Sequence, residues 1–263
     1  MTEQDIFLTR QGATAHLVLN RPDKRNALTQ DMWAVIPGLL AEAEANDAIR
    51  VLVVRGAGGH FAAGADINEF EAVYATRARA ETYSKAVAAA LDALAAFPKP
   101  AIAQIEGACV GAGCGIALAC DLRFAASGAR FGITPGKLGL VYTLNDTKRL
   151  VEAVGVPMAK DILFSARLLE ADEALKCGLV DRLVSPEALD RQVADYVALI
   201  ASRSSHSASV SKRMITMIQS GIDADTDETR QLFLDAFGGD DFAEGYRAFL
   251  EKRLPDFSRG KKP

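Results

Sequence analysis

Two segments rich in small residues could bring main-chain amides close to another group. The first is His60 to Ile67 (HFAAGADI), which follows an apolar run and a turn. The second is Glu106 to Ile116 (EGACVGAGCGI), which lies between an apolar run and a helix-like segment. Glycine and alanine leave the main chain uncovered, so each segment suits either a ligand contact or close packing of a strand on a helix. Their joint occurrence favours a site.

The other motifs do not match known nucleotide or metal sites. The glycines at 111–115 form GxGxG, and 132–137 reads GxxxGK followed by leucine, so neither a Rossmann nor a P-loop fingerprint is present. No serine lies in a GxSxG motif, and the three histidines lack the spacing of a zinc site: His16, His60 and His206. We therefore expect no metal site and no serine-hydrolase site.

The elements that must position the two segments alternate along the chain. Runs rich in β-branched and apolar residues predict strands at 14–20, 49–55, 101–106 and 121–126. Helical spacing predicts helices at 28–48 and 76–97, with a kink or break at Pro37 in the first. Alternation of this kind predicts an α/β fold.

The pattern changes beyond Pro186. Four segments have helical spacing with no strand between them, at 187–202, 207–219, 225–237 and 241–253. We predict an α/β core over 1–186 and a helical region over 187–263. A helical region of this kind must pack on the core or on another subunit, so we expect it to mediate oligomerisation.

Charge and composition exclude several classes of function. The 263 residues carry a net charge of −4, which disfavours nucleic acid or an anionic membrane as a partner. No uncharged stretch reaches the roughly 18 apolar residues of a membrane span. The four cysteines are typical of core residues in a reducing compartment, and the first residues lack a basic segment followed by an apolar one. We expect a cytoplasmic protein.

Several motifs, in order and over nearly the whole chain, resemble the enoyl-CoA hydratase/isomerase (crotonase) superfamily. They are RPDKRNAL, FAAGADI, EGACVGAGCGIALACDLRFA, FGITPGKLGL, LLEADEALKCGLVD and DDFAEGYRAFLEKRLPDF. The resemblance implies an α/β spiral of ββα units, with a C-terminal helical region that forms a homotrimer or a dimer of trimers. It also implies an acyl-CoA thioester as substrate, so that coenzyme A is part of the substrate and no separate cofactor is needed.

The resemblance assigns roles to both small-residue segments. The amides of Ala65 and Ala112 would stabilise the oxygen of a thioester enolate, and a helix that begins at Ala112 would favour the same charge. Residues implied to bind the coenzyme are Lys24, Arg25, Ala27, Ala63, Gly64, Asp66, Ile67, Phe233, Phe249 and Lys252. A solvated turn is the alternative for the two basic residues, and helix packing is the alternative for the two phenylalanines.

Two positions depart from the hydratase pattern. Hydratases of this superfamily use two glutamates, because adding water to a conjugated double bond requires activation of the water and transfer of a proton. This chain has Gly115 and Pro135 at those positions, and neither residue accepts a proton. The sequence therefore predicts an enolate-forming enzyme without the standard pair of hydratase carboxylates.

The remaining reactions differ in the group that handles the proton. The segment from Phe131 to Leu144 partly resembles the methylmalonyl-CoA decarboxylase branch, which makes Tyr142 the leading proton-donor candidate, with a structural hydroxyl as the equal alternative. An isomerase would need one carboxylate, from Asp146 or Glu69, although an aspartate near a helix start is more often a cap. A non-catalytic acyl-CoA-binding protein is a further alternative.

Overall fold

The computed structural model describes residues 4–257 as an α/β fold with two sheets. The strands are β1 (Ile6–Gln11), β2 (Thr14–Leu19), β3 (Val51–Gly56), β4 (Ala101–Ile105), β5 (Ala108–Val110), β6 (Leu122–Ala126), β7 (Arg130–Gly132), β8 (Leu168–Glu170) and β9 (Arg182–Val184). The helices are α1 (Gln30–Ala45), α2 (Phe70–Val73), α3 (Arg77–Ala95), α4 (Ala112–Ala119), α5 (Leu144–Ser165), α6 (Ala171–Lys176), α7 (Pro186–Ala201), α8 (Ser205–Gln219), α9 (Asp227–Asp235) and α10 (Asp240–Leu250).

The larger sheet has six strands in the order β1-β2-β3-β4-β6-β9. β1 and β2 pair antiparallel, and every other pair in this sheet is parallel. The smaller sheet has the order β5-β7-β8. Helices cover both faces of the large sheet, which explains why β3 is an unbroken apolar run rather than an alternating one. The predicted α/β fold is confirmed.

Two apolar clusters hold the layers together. On one face of the large sheet, α1, α3 and α4 contribute buried side chains to the larger cluster, and Trp33 and Leu94 are among its large, fully buried members. On the other face, α7 inserts Leu189, Val193 and Val197 against β3, β4 and β6. The predicted helical region over 187–263 therefore begins with α7, a helix that packs directly on the large sheet.

Helix α1 begins at a polar cap and continues through a proline. The Thr29 hydroxyl accepts a hydrogen bond from the Met32 amide at 3.2 Å, which satisfies one of the free amides of the first turn. The helix runs without a break through Pro37 to Ala45, so of the predicted kink or break the break is wrong, and the kink stays a prediction. Trp33 and Ile36 before the proline and Leu40 after it are buried, and the packing of this helix face outweighs the one hydrogen bond that proline removes.

The four helices predicted beyond Pro186 are present as α7 to α10. Lys212 on α8 joins this region to the core, because its Nζ pairs with the Asp121 carboxylate at 2.8 Å. The division of the chain into a core over 1–186 and a separate helical region over 187–263 stays a prediction. Within residues 4–257, no helix combines the length and apolar character that crossing a bilayer requires.

Candidate active site

The two small-residue segments lie side by side. Ala62 and Cys109 form a parallel bridge, and the Ala62 amide donates to the Ala108 carbonyl at 2.8 Å. Val110 N in turn donates to the Ala62 carbonyl at 2.9 Å. Gly113 permits this approach, because a Cβ there would lie 2.4 Å from the Ala62 carbonyl oxygen. The turn that follows Ala62 and the start of α4 are therefore held next to each other.

The peptide between Gly64 and Ala65 is fixed by the main chain of Leu28. The Leu28 amide donates to the Gly64 carbonyl, and the Leu28 carbonyl accepts from the Asp66 amide, both at 2.8 Å. Gly64 has φ of +119°, a conformation that favours glycine. In the described part of the chain, the Ala65 amide between these two bonds has no hydrogen-bond acceptor. It is free to donate to a ligand.

The peptide between Gly111 and Ala112 forms the start of α4. Gly111 has φ of +54°, and its amide donates to the Gly132 carbonyl at 2.7 Å. Ala112 is the first residue of the helix, so its amide has no acceptor within α4. A Cβ on Gly111 would lie 3.7 Å from the Gly64 Cα, so the two peptides are neighbours. Two such amides, one of them at a helix N-terminus, suit a negatively charged oxygen.

The Tyr142 side chain contacts the second of these peptides. Its hydroxyl donates a hydrogen bond to the Gly111 carbonyl oxygen at 2.5 Å. Burial raises the pKa of the phenol well above its usual value, and the nearby Cys114 thiol and Asp146 carboxylate add to the rise. The phenol is therefore protonated throughout the neutral range. The sequence placed Tyr142 near the chemistry but gave no sign of its carbonyl partner.

The two positions at which the resemblance implies a glutamate in hydratases hold no ionisable group in this chain. Gly115 is buried inside α4, and a Cβ there would meet Leu91 Cδ1 at 3.5 Å, which is ordinary van der Waals contact. Pro135 opens a short 3₁₀ turn that runs to Leu138. The side of α4 at Gly115 is therefore lined by an aliphatic side chain from α3.

The carboxylate of Asp146 is engaged in the first turn of α5. Its Oδ2 accepts from the Thr143 hydroxyl at 2.7 Å, and its Oδ1 pairs with Arg149 at 3.0 Å. Arg149 also pairs with Asp92 on α3, and these residues border a cavity of about 260 Å³. Asp146 itself is buried. These contacts are those of a residue that stabilises a helix start, and the assignment of Asp146 to proton transfer stays a prediction.

The Glu69 carboxylate also has a structural partner. Its Oε2 accepts from the amide of Gln30, the first residue of α1, at 2.7 Å. A carboxylate at this helix N-terminus stabilises the helix through the dipole and the unpaired amides. Its use as the isomerase carboxylate stays a prediction.

The basic turn implied to bind the coenzyme lies beside the first segment. Lys24 and Arg25 are both exposed, and the Arg25 carbonyl accepts from the Ala63 amide at 2.9 Å. Ala27 closes the same turn by donating from its amide to the Lys24 carbonyl at 3.1 Å. The turn thus places two positive charges next to the main chain that precedes Gly64.

Asn26 fixes this turn and was not identified from the sequence. Its side chain is fully buried, with Oδ1 accepting from the Arg21 amide at 2.8 Å. Its Nδ2 donates to the carbonyls of Ala57 and His60, at 2.9 and 2.6 Å. Asn26 also has φ of +57°, a conformation that asparagine adopts more readily than most residues. The asparagine in RPDKRNAL was the available signal.

Asp66 and Ile67 follow the Ala65 amide directly. The Asp66 carboxylate pairs with Arg21 at 2.9 Å and accepts from the Asn68 amide at 3.1 Å. Burial acts to raise the pKa of this carboxyl, but the hydrogen bonds from Arg21 and Asn68 outweigh it and lower the pKa overall. Ile67 is 64% exposed, so it is available to a bound ligand. Asp66 therefore positions the turn, while Ile67 is open.

The implied C-terminal contacts are exposed in the single chain. Phe233 packs on Phe237, with ring centroids 5.1 Å apart. Phe249 is 81% exposed, and Lys252 lies in the turn after α10 with φ of +52°. Their contact with a coenzyme stays a prediction. A cavity of about 740 Å³ in this region, lined by Pro100 and Tyr246 among others, lies apart from the two amides.

The prediction that the chain has no metal site can be compared with the structure only for residues 4–257. Over that range, no three His, Cys, Asp or Glu side chains are grouped so as to hold a metal ion. Cys109 and Cys114 are both buried, and the Cys114 thiol donates to the Cys109 carbonyl at 2.8 Å. The groups that the described residues bring to the two amides are main-chain donors, the Tyr142 phenol and small apolar side chains.

Comparison with known proteins identifies the family. The family model described as Enoyl-CoA hydratase/isomerase matches residues 9–260. A "Crotonyl-CoA hydratase" of Syntrophomonas wolfei is 34% identical over 262 residues, 98% of this chain and 99% of the relative. The "2,3-dehydroadipyl-CoA hydratase" of Escherichia coli is 33% identical over 254 residues, 96% of this chain and 98% of the relative.

Solved structures of proteins from the same family have the same fold as this chain. A putative enoyl-CoA hydratase/isomerase family protein from Hyphomonas neptunium superposes with a TM-score of 0.95 at 49% identity, over 97% of each chain. An enoyl-CoA hydratase/carnithine racemase from Magnetospirillum magneticum gives a TM-score of 0.93 at 34% identity, over 97% of this chain and 96% of the other. With its fold and both amide-bearing turns in place, the chain belongs to the enoyl-CoA hydratase/isomerase family of acyl-CoA enzymes.

Proposed function

We propose that this enzyme holds the thioester oxygen of an acyl-CoA between the amides of Ala65 and Ala112 and stabilises it as an enolate. The observation that carries the proposal is the pairing of two neighbouring peptides, each with a bonded carbonyl and with an N–H that has no acceptor among residues 4–257. Such donors act mainly on the charge that develops during the reaction. Exposed Lys24 and Arg25 would meet the phosphates of the coenzyme beside the same turn.

The reaction follows from what the site holds besides the amides. Gly115 and Pro135 supply no carboxylate, so water activation by paired glutamates has no residues to perform it. The relatives named as hydratases suggest hydration by family, whereas the side chains of this site suggest a reaction that forms the enolate without a strong base. An isomerase using Asp146 or Glu69 would first have to release that carboxylate from its structural partners.

Decarboxylation of a malonyl-type thioester is the second candidate. The bond between the α-carbon and its carboxylate breaks, CO₂ leaves, and the electron pair passes into the thioester enolate, which is then protonated at the α-carbon. Only enolate stabilisation and a proton are required. The observation that favours this candidate is a site that joins the two donor amides to a protonated Tyr142 phenol, with Gly115 and Pro135 in place of a carboxylate base.

A substrate panel separates these candidates. The purified protein would be assayed with crotonyl-CoA, a 3-enoyl-CoA and methylmalonyl-CoA. Turnover of any one at roughly 1 s⁻¹ or more would support an enzyme, and the product would identify the reaction. Binding of all three without turnover would contradict the proposal and leave an acyl-CoA-binding protein. CO₂ release from methylmalonyl-CoA without hydration of crotonyl-CoA is the result that the site composition predicts.

We also propose that the C-terminal helices mediate a homotrimer or a dimer of trimers. Large apolar side chains on α9, α10 and the segment that follows are exposed in the single chain, with Phe249 at 81% and Leu254 at 87%. Exposed apolar area of this kind favours contact between protein surfaces. Light scattering that gives three or six times 28.0 kDa would support the proposal, and a monomeric mass would contradict it.

A further inference from the structure

The carbonyl that Tyr142 contacts belongs to the same peptide group as one of the two proposed donor amides. The Tyr142 hydroxyl donates to Gly111 O at 2.5 Å. The carbon of this carbonyl is bonded to the Ala112 nitrogen, which carries the N–H at the start of α4. Hydroxyl, carbonyl and amide therefore form one continuous chain of hydrogen bonding. The free end of this chain is the Ala112 N–H.

Hydrogen bonds in such a chain strengthen one another. A donor to a peptide oxygen draws electron density toward that oxygen, which leaves the N–H of the same peptide more positive and a better donor. The effect grows with the negative charge on the group that the N–H contacts. It is therefore larger for an enolate oxygen than for a neutral thioester oxygen, which is the difference that accelerates a reaction.

We infer that Tyr142 is a positioning residue that acts through the Gly111–Ala112 peptide, strengthening the Ala112 amide as a donor to the enolate oxygen. This inference rests on the proposed function and assigns to Tyr142 a role other than proton transfer. The hydroxyl hydrogen is directed at a carbonyl oxygen, and a carbonyl oxygen can only accept. Burial keeps the phenol protonated, so the donation persists throughout the neutral range.

The substitution Tyr142→Phe isolates this role. The Gly111 carbonyl also accepts from the Gly115 amide at 3.1 Å, so removing the hydroxyl leaves no buried carbonyl without a partner. Phenylalanine keeps the ring and its packing. Tyr196→Phe is the matched control, because Tyr196 lies on α7 and its ring stacks with Arg182 on the opposite side of the large sheet.

The experiment compares the affinities of two probes for the whole protein by calorimetry. Propionyl-CoA represents the neutral thioester, and an acyl-CoA analogue whose nitronate group replaces the enolate represents the charged state. For Tyr142→Phe we expect about tenfold weaker binding of the nitronate, with propionyl-CoA affinity within about twofold of wild type. For Tyr196→Phe we expect both affinities to be unchanged. The thioester C=O stretch of bound propionyl-CoA should also shift less in Tyr142→Phe.

The outcomes separate this inference from the function on which it rests. A wild-type protein that binds the nitronate no more tightly than propionyl-CoA would overturn the proposed function, and this inference with it. A wild-type preference that Tyr142→Phe fully retains would overturn this inference alone. Tyr142 would be a proton donor instead if the variant kept the nitronate affinity but lost α-carbon protonation in single-turnover measurements.

Discussion

The two donor peptides of this site are held in different ways. The Gly64 carbonyl is bonded to the Leu28 amide, so the Ala65 donor is oriented entirely by main chain. The Gly111 carbonyl is bonded to the helix and also to the Tyr142 hydroxyl, so the Ala112 donor depends on a side chain as well. The first donor is set by the fold, whereas the strength of the second is adjustable by substitution.

The largest expected effect comes from removing the second donor outright. Ala112→Pro deletes the N–H at the first position of α4, where proline is readily accommodated because that amide has no helical partner. Loss of one oxyanion donor typically lowers kcat by about 10²–10³. We expect a loss of that size, measured as kcat on the best substrate of the panel.

A proline at another helix start controls for this change. Ser205 is the first residue of α8, and Ser205→Pro should leave kcat within about twofold and the melting temperature near that of wild type. Retention of kcat in Ala112→Pro would show that the Ala112 amide does not contact the reacting oxygen.

A pair of glycines in α4 tests how closely the two donors must approach. A Cβ at Gly113 would lie 2.4 Å from the Ala62 carbonyl oxygen, so Gly113→Ala must push α4 away from the first turn. We expect a loss of about 1–3 kcal/mol in unfolding free energy, because the site is overpacked. We also expect kcat to fall between about tenfold and 10²-fold as Ala112 moves away from Ala65.

Gly115→Ala is the matched control on the same helix. Its Cβ would contact Leu91 at 3.5 Å without overlap, and alanine favours a helix by up to about 1 kcal/mol. Stability should therefore stay the same or rise, as measured by urea unfolding. Equal effects of the two substitutions would contradict the importance of the contact between the turns.

The pH dependence of kcat reports on the side chain that supports the second donor. The pKa of the Tyr142 phenol is raised well above its usual value, so its donating form is present at every pH below that and is lost only above it. We expect kcat to be flat from about pH 7 to pH 9.5, since an ordinary tyrosine already titrates near 10. A rise in kcat through a carboxylate or histidine pKa would instead indicate a general base.

The smallest expected effect on catalysis comes from Asp146→Asn. Asp146 holds Thr143 and Arg149 at the start of α5, and asparagine keeps most of that geometry while removing the charge. We expect kcat within about threefold of wild type and a loss of about 1–2 kcal/mol in stability. A drop of 10²-fold in kcat with unchanged stability would identify Asp146 as the missing proton-transfer group.

Local patterns predicted the parts of the fold that local forces determine. The apolar runs of β2, β3 and β4 and the periodic C-terminal helices were recognisable because burial and helix periodicity leave a direct trace in sequence. The helix over Pro37 was also predicted from its spacing, but the continuation without a break was not, because burial of Trp33 and Leu40 outweighs the cost of one missing hydrogen bond. Propensity alone does not include that packing.

The sequence predicted only part of the candidate site. The small residues around Ala65 and Ala112 indicated where main chain is uncovered, but not which carbonyls are bonded. Tyr142 and Gly111 are 31 positions apart, and no local pattern predicts their hydrogen bond. The same holds for the Asn26 side chain and its partner carbonyls at Ala57 and His60. Such pairings arise from the tertiary fold.

A crystal structure of the protein with the nitronate analogue of propionyl-CoA would show directly whether both amides bind the enolate oxygen. We expect the charged oxygen to lie about 2.7–3.1 Å from both the Ala65 and the Ala112 nitrogen atoms. We also expect the Tyr142 hydroxyl to keep its hydrogen bond to the Gly111 carbonyl. An analogue bound with that oxygen away from either amide, or bonded directly to Tyr142 alone, would contradict the proposal that Ala65 and Ala112 together bind the enolate oxygen.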